Sequence, residues 1–404
     1  MRPWRVPYPK FGDGPALDRV AAIAAHLDVD LAGFGAHGAV IVGSNGKGST
    51  AAMIAALLQH AGRDVGLFTS PHLLDLNERF RIDGEDIADD ELAAHWTRVD
   101  AAVKALGLEV QLGGFEFLFL IAADWFATRG CTHTIWEAGI GGRLDPVRLI
   151  KAKHVALTAL DLEHTALLGA TLEEIGLDKI EAAPPGANLY AGVWGPEREA
   201  LARRCAEIGV RYVLVPPYHG VALPLAGKHQ NQNAALALRL AMSITGHDEA
   251  ALAPGFAATR WPGRLEVIER EPLVVIDVGH TPDGVRAALA GFDAMRAGRR
   301  AVLVCGVSRD KDAAAIVTAL APAFPLIVCA AAHHKGAPPG EIAMHAADAN
   351  AEAEIVVAEN MADARRIALA RAAGGAVYVA GGLFLAAEFK ALHLGRDPAS
   401  LAFF

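Results

Sequence analysis

Val42-Gly43-Ser44-Asn45-Gly46-Lys47-Gly48-Ser49-Thr50 lies between two apolar patterns of different period. Before it, Ala39 to Val42 is a short continuous apolar run, the signature of a buried strand. After it, Met53, Ile54, Leu57 and Leu58 recur at helical spacing, and Gly62 supplies a stop. Three glycines and a lysine between strand and helix form a phosphate-binding layout. Backbone N–H groups and a helix N-terminus would face the anion, and Lys47 would add a positive charge. The spacing is G-x-x-G-K-G-[ST] rather than G-x-x-x-x-G-K-[ST], with a glycine inserted after the lysine. The alternative is a glycine-rich turn that holds no ligand.

At 404 residues the chain exceeds one ordinary core, so two or three domains are expected. Hydrophobic residues make up 53%, enough for sizeable cores. The net charge of −9 argues against a general nucleic-acid or anionic-membrane surface. The opening residues Met1 to Pro7 carry no apolar stretch of signal-peptide length, and no run approaches the ~18 residues of a membrane span. Cys131, Cys205, Cys305 and Cys329 are scattered and read as reduced thiols, so a cytoplasmic protein is expected.

Strand-like runs at Ala39–Val42, Asp64–Phe68, Thr132–Trp136 and His154–Leu157 alternate with helical patterns. That alternation predicts a mostly parallel sheet with helices on both faces, its ligands beyond the carboxyl ends of the strands. Thr69-Ser70-Pro71-His72, Glu137 and Asp161-Leu162-Glu163-His164 fall at such ends, together with the phosphate loop. Pro254-Gly255 and Pro262-Gly263 break the pattern and read as an interdomain linker. A second alternation follows, with strands at 273–277, 301–305, 326–330, 354–358 and 376–380, a smaller α/β domain of about 140 residues. The predicted division is 1–258 and 259–404.

Lys47 is expected on the β/γ phosphates, with Ser49 or Thr50 near a metal or phosphate. Glu137, beside Gly139-Ile140-Gly141-Gly142, is placed either to hold Mg²⁺ or to cap a turn. His164 reads as structural unless other support makes it a ligand, because magnesium prefers oxygen. Thr171 and Glu174 make a capping box, so Lys179 lies on a helix, by default a solvated one. Arg264, just past the linker, either brings a cation to a transferring phosphoryl group or forms an ordinary ion pair. Asp277 and His280 end the first strand of the second domain.

With these clusters in order, the chain resembles the folylpolyglutamate synthetase/dihydrofolate synthetase family, a branch of the Mur ligases. The matching blocks run from about residue 12 to about residue 390. They include Gly43 to Thr50, Thr69 to Leu73 with Asn77-Glu78-Arg79, Phe115-Glu116, and Glu137 to Asp145. Further on come His164-Thr165, Thr171 to Ile175 with Lys179, Gly227 to Gln230 with Asn233, Pro262 to Glu266, Asp277 to Pro282, and Asp310-Lys311-Asp312.

The resemblance implies an α/β fold: a P-loop central domain with a mostly parallel sheet, plus a smaller Rossmann-like C-terminal domain. It implies a ligase that uses MgATP to phosphorylate a carboxylate, which the amine of L-glutamate then attacks. The acid would be a pterin or folate, with no nucleic-acid or membrane partner and a monomeric enzyme. Asn45, Gly46, Lys47, Gly48, Ser49, Thr50, Asn233, Arg264 and Asp277 match ATP-contacting positions. Ser70, Glu137 and His164 match the metal site. Lys179 matches a lysine often carbamylated. Lys47, Lys179, His164 and Arg264 form the implied catalytic set, and His72, Phe115 and His280 fall on the substrate side. The chain departs from the family at Pro146-Val147-Arg148, where Ala-Thr-Asn is usual, at Thr281, where asparagine is usual, and at Gly382-Leu383-Phe384, where Ser-Leu-Tyr is usual. A ligase of the same fold for another acid or amine, and a nucleotide-binding scaffold without catalysis, are the competing readings.

Overall fold

The computed structural model describes residues 4–9, 12–14 and 16–403. Met1 to Pro3, part of the opening stretch read above for a signal peptide, lie outside the described residues. Two sheets organise the rest. The first holds β1 (Ala39–Val42), β2 (Val65–Phe68), β3 (Phe80–Ile82), β4 (Glu85–Asp86), β5 (His133–Glu137), β6 (His154–Leu157), β7 (Asn188–Ala191) and β8 (Arg211–Leu214). Their spatial order is β4-β3-β2-β5-β1-β6-β7-β8. From β2 to β8 neighbouring strands run parallel, while β3 and β4 add an antiparallel edge.

The second sheet holds β9 (Glu266–Arg270), β10 (Leu273–Ile276), β11 (Ala301–Cys305), β12 (Leu326–Cys329), β13 (Glu354–Val357) and β14 (Ala376–Ala380). Its order is β13-β12-β11-β14-β10-β9, antiparallel only between β9 and β10. The continuous apolar runs behave as parallel strands covered on both faces should: β1, β10, β11, β12 and β14 are buried throughout.

Alternation along β1 sends Val40 and Val42 to one face and Ile41 to the other, and two cores result. On the first face Phe68, Phe119 and Phe126 close around Trp136 at ring distances of 6.0, 5.0 and 5.3 Å. On the second, Met53, Ile54, Leu57 and Leu58 pack with Leu236 and Leu240 of the helix Gln230–Thr245. Each such side chain contributes roughly 1.5–3 kcal/mol on burial. The helix Lys47–His60 is buried on nearly every side from Gly48 to Leu58, not on the single face its pattern suggests.

The reason lies in the stretch read as linker. Ala253–Ala258 is a 3-10 turn packed on that helix, with Phe256 buried against Tyr218 at 5.4 Å. A Cβ on Gly255 would lie 2.7 Å from Cβ of His60. Pro254 to Ala258 therefore belong to the first core, and only the stretch after Thr259 connects the two sheets. Cys205, Cys305 and Cys329 are buried free thiols and Cys131 is half-buried. Among the described residues no helix is long and apolar enough to cross a membrane.

Candidate functional site

The loop after β1 follows from local constraints. Ser44 N–H donates to Ala159 O at 2.8 Å, tying the loop to the segment after β6. Gly46 takes φ of +90° and caps the helix that begins at Lys47. A Cβ there would lie 2.4 Å from Asn233 Oδ1, so both the backbone conformation and the close approach require glycine. Lys47 curls over the loop, and its Nζ donates to Gly43 O at 2.9 Å and Ser44 O at 3.3 Å. Thr50 Oγ1 is buried without a hydrogen-bond partner.

A 760 Å³ cavity opens above this loop, between the two sheets. Lys47, Ser70, Phe115, Glu137 and His164 line it from the first, and Arg264, His280 and Lys311 from the second. Glu137 ends β5 and is buried, and its Oε2 accepts from Ser70 N–H at 3.0 Å. Burial raises its carboxyl, while Lys47, the Ser70 amide, Arg264 and Arg79 pull the other way. Arg264 and Lys47 thus act on one carboxylate from opposite sides of the cleft. His164 holds a left-handed backbone at φ +47°, a strained geometry for a side chain of its size. Burial lowers its imidazole and keeps it neutral, with Lys311, Lys47 and Lys179 opposing Glu163.

These residues fit a small oxygen-seeking cation. The buried carboxylate of Glu137 lines the same cavity as Ser70 and the neutral imidazole of His164, and the cavity leaves room for phosphate oxygens. Among the described residues no cluster of three or more His, Cys, Asp or Glu side chains gathers. Any cation here would therefore lean on hydroxyl and phosphate oxygens as well.

Lys179 is not solvated. It is 2% exposed, and its Nζ donates to Gly43 O at 3.1 Å and Glu163 Oε1 at 2.9 Å. Burial, then Lys47, lowers the ammonium despite Glu163. Against the upward push of burial, Lys47 and then Lys179 draw the Glu163 carboxyl down to about 2.

Other expected residues stand behind the cavity wall. Asn233 is buried, donates to Gln230 Oε1 at 2.9 Å and turns its own Oδ1 towards Gly46. Asp277 is buried and braces backbone, accepting from Leu265 N–H at 3.0 Å and Gly279 N–H at 2.7 Å. Asn45 Nδ2 bridges Asp161 Oδ2 at 3.1 Å and Thr281 Oγ1 at 3.0 Å, linking the phosphate loop to the second unit. His72 has both ring nitrogens engaged, with Arg79 Nε at 2.9 Å and Ala402 O at 3.0 Å, and Phe403 stacks on it at 5.2 Å. Its place is in the wall rather than on the cavity surface. Ser49 is buried in the first helical turn and Gly48 lies beside it on the cavity.

Arg79, Glu163, Lys311 and Trp261 also line the cavity, and none was given a role from the sequence. Arg79 is buried, and burial lowers its guanidinium to about 9 against Glu137 and Glu78. Asn77-Glu78-Arg79 and Asp310-Lys311-Asp312 were visible as blocks, but nothing in their spacing told which side chain turns inward.

Known proteins agree with this architecture. Residues 263–383 match the family described as "Mur ligase, glutamate ligase domain". A probable bifunctional folylpolyglutamate synthase/dihydropteroate synthase of Halobacterium salinarum is 32% identical over 412 residues, covering 94% of this chain but 50% of that protein. This chain therefore spans half of that relative's length. The folylpolyglutamate synthase of Lacticaseibacillus casei is 32% identical over 317 residues, covering 70% of this chain and 74% of its own. Among solved structures, Mycobacterium tuberculosis folylpolyglutamate synthase complexed with ADP superposes with a TM-score of 0.87 at 28% identity, over 96% of both chains. A bifunctional folylpolyglutamate synthase/dihydrofolate synthase with Mn, AMPPNP and L-glutamate bound has a TM-score of 0.83 at 27% identity, over 97% of this chain and all of that one. On sequence and on fold alike, the chain belongs to the folylpolyglutamate synthase/dihydrofolate synthase family of Mur ligases.

Proposed function

We propose that this protein is an ATP-dependent carboxylate–amine ligase that joins L-glutamate to the carboxylate of a pterin or folate through an acyl phosphate. One observation carries the reading: Lys47, Ser70, Glu137 and His164 share a single cavity with Arg264, His280 and Lys311 of the second unit. One relative of this fold is complexed with ADP and another has Mn, AMPPNP and L-glutamate bound. The proposed division of labour is residues 1–258 for the nucleotide and 259–404 for the amine.

A carboxylate is a poor acyl electrophile because oxide is a poor leaving group. Attack of the carboxylate oxygen on the γ-phosphorus breaks the bond to ADP and converts that leaving group to phosphate. The amine nitrogen then attacks the acyl carbon, and phosphate departs as the amide forms. Both steps spread negative charge, which Lys47 and Arg264 are positioned to stabilise. Ser70, Glu137 and His164 would hold Mg²⁺, which supplies charge neutralisation at the phosphates. Closure by the second unit excludes water that would hydrolyse the acyl phosphate.

Carbamylation of Lys179 belongs to the same reading. It needs the neutral amine that burial and Lys47 favour, and it would replace the Glu163 pairing with a second anion. Lys179→Ala should lose turnover and regain part of it with acetate; activity unchanged by the substitution would exclude a role for the side chain. The reading also carries a monomer in the cytoplasm, acting on small molecules, to be checked by light scattering and fractionation.

The deciding assay is phosphate release from ATP with dihydropteroate plus glutamate, then with other acids and amines. Release with the first pair supports the proposal. Release only with a non-pterin acid or another amine would redirect it within the same chemistry. No release with any pair would leave a nucleotide-binding scaffold.

A further inference from the structure

The glycine after Lys47 is unexplained by phosphate binding. Its backbone is ordinary helix, so it is not there for a left-handed conformation. What it permits is contact. A Cβ on Gly48 would lie 2.5 Å from Cζ2, 2.8 Å from Cε2 and 3.0 Å from Nε1 of Trp261. The indole therefore rests on the first turn of the phosphate-loop helix, where no side chain larger than hydrogen fits. The Arg81 guanidinium lies over the indole, 5.3 Å from the ring centroid, and its Nε donates to Asp86 Oδ1 at 2.5 Å.

Trp261 opens the short segment that joins the two units, and Arg264 is three residues on. The far end of the segment is fixed to the second unit. Gly263 N–H donates to Glu266 Oε2 at 2.8 Å, Gly263 O accepts from Val278 N–H at 2.9 Å, and Leu265 N–H donates to Asp277 Oδ2 at 3.0 Å. The near end is held on the first unit: Thr259 N–H donates to Phe256 O at 2.9 Å, the Arg260 guanidinium donates to Ala257 O at 3.0 Å, and the Trp261 indole rests on Gly48 of the phosphate-loop helix. Arg264 is thus suspended between anchors on both units, and among them the indole is the one that touches the phosphate-loop helix.

We propose that Trp261 is a positioning residue: seated on Gly48, it registers the connecting segment against the phosphate loop and sets the reach of the Arg264 guanidinium towards the nucleotide. The inserted glycine is the receiving half of this contact. This inference rests on the reading that the loop binds a nucleotide, but not on which acid or amine is joined.

The test uses the full chain and AMPPNP with Mg²⁺, with affinity read by calorimetry. Trp261→Ala should weaken AMPPNP about tenfold in the otherwise unchanged protein and less than about twofold when Arg264 is already alanine, because coupled residues are not additive. Gly48→Ala should weaken binding to a similar degree, and adding Trp261→Ala to it should cost nothing more, since the clashing ring is gone. Trp261→Phe, which keeps an aromatic ring on the glycine, should lose less than Trp261→Ala and serves where the alanine variant unfolds. Multiplying losses of Trp261→Ala and Arg264→Ala would overturn the proposal. So would a Gly48→Ala defect that adds in full to that of Trp261→Ala. Failure of the wild type to bind AMPPNP would overturn the nucleotide reading together with the proposal, whereas normal wild-type binding with independent losses would overturn the proposal alone.

Discussion

Asp277→Asn separates a structural carboxylate from a ligand-binding one. Asp277 is 4% exposed, and each oxygen is committed to a different backbone N–H, Leu265 on one side and Gly279 on the other. Asparagine keeps one carbonyl oxygen. Whichever way its amide turns, one N–H loses its acceptor and meets an NH₂ group. A buried donor left without a partner costs about 1–3 kcal/mol, and the surviving bond loses its charge assistance. Against this stands relief of the buried charge: burial raises the Asp277 carboxyl although Arg264, the Gly279 amide and the Leu265 amide oppose it. The net expectation is a loss of about 2 kcal/mol, with Asp277→Ala losing about 1 kcal/mol more because both donors are then unpaired. Denaturant unfolding without nucleotide measures it. Both variants within about 0.5 kcal/mol of wild type would refute the bracing role.

Lys47→Ala should lower kcat by about a thousandfold while unfolding stability falls by no more than about 1 kcal/mol, because its amine bonds only to loop carbonyls; steady-state kinetics beside a thermal melt would check both. Acidification should destabilise the fold through His229 and His280. Burial, helped by Arg264 at His229 and by Lys311 and Arg264 at His280, lowers each imidazole to about 4. Both rings therefore stay neutral in the folded chain while an unfolded chain protonates near 6.5. Their contribution is full above pH 6.5 and is lost as pH falls towards 4, by up to about 3 kcal/mol each. A His229→Gln/His280→Gln variant should show a flatter stability profile between pH 7 and 5; an unchanged slope would refute the assignment.

Most strands that the sequence makes plain are buried on both faces, although the half-exposed edge strand β13 is also legible and the buried β7 is not. Ala39–Val42, Ala301–Cys305 and Ala376–Ala380 coincide with β1, β11 and β14 because a parallel strand under helices needs no polar alternation. β8 went unread because it lies at a sheet edge with Arg211 exposed and Tyr212 to Leu214 only half-buried. The charged hairpin of β3 and β4 went unread at the other edge for the same reason. In the site, the phosphate loop was legible because its chemistry is consecutive. The burial of Lys179 was not, since it arises from contact with Gly43, 136 residues away, and not from its own helix pattern. His72 invites a ligand role by sitting at a strand end, and only the fold reveals Arg79 Nε and the Ala402 carbonyl claiming its two nitrogens. Pro254-Gly255 shows the limit of punctuation: two breakers in a row can mark a tight packed corner as well as a linker.

β1 occupies an interior position in its sheet, with four strands on one side and three on the other. The loop proposed to hold the phosphates hence grows from a strand hydrogen-bonded along both edges, to β5 and β6. Such central ladders open to solvent only with the whole fold. On the proposed reading, adaptation to a new acid or amine can remodel the cavity wall of the second unit while the central strand and its loop stay as they are.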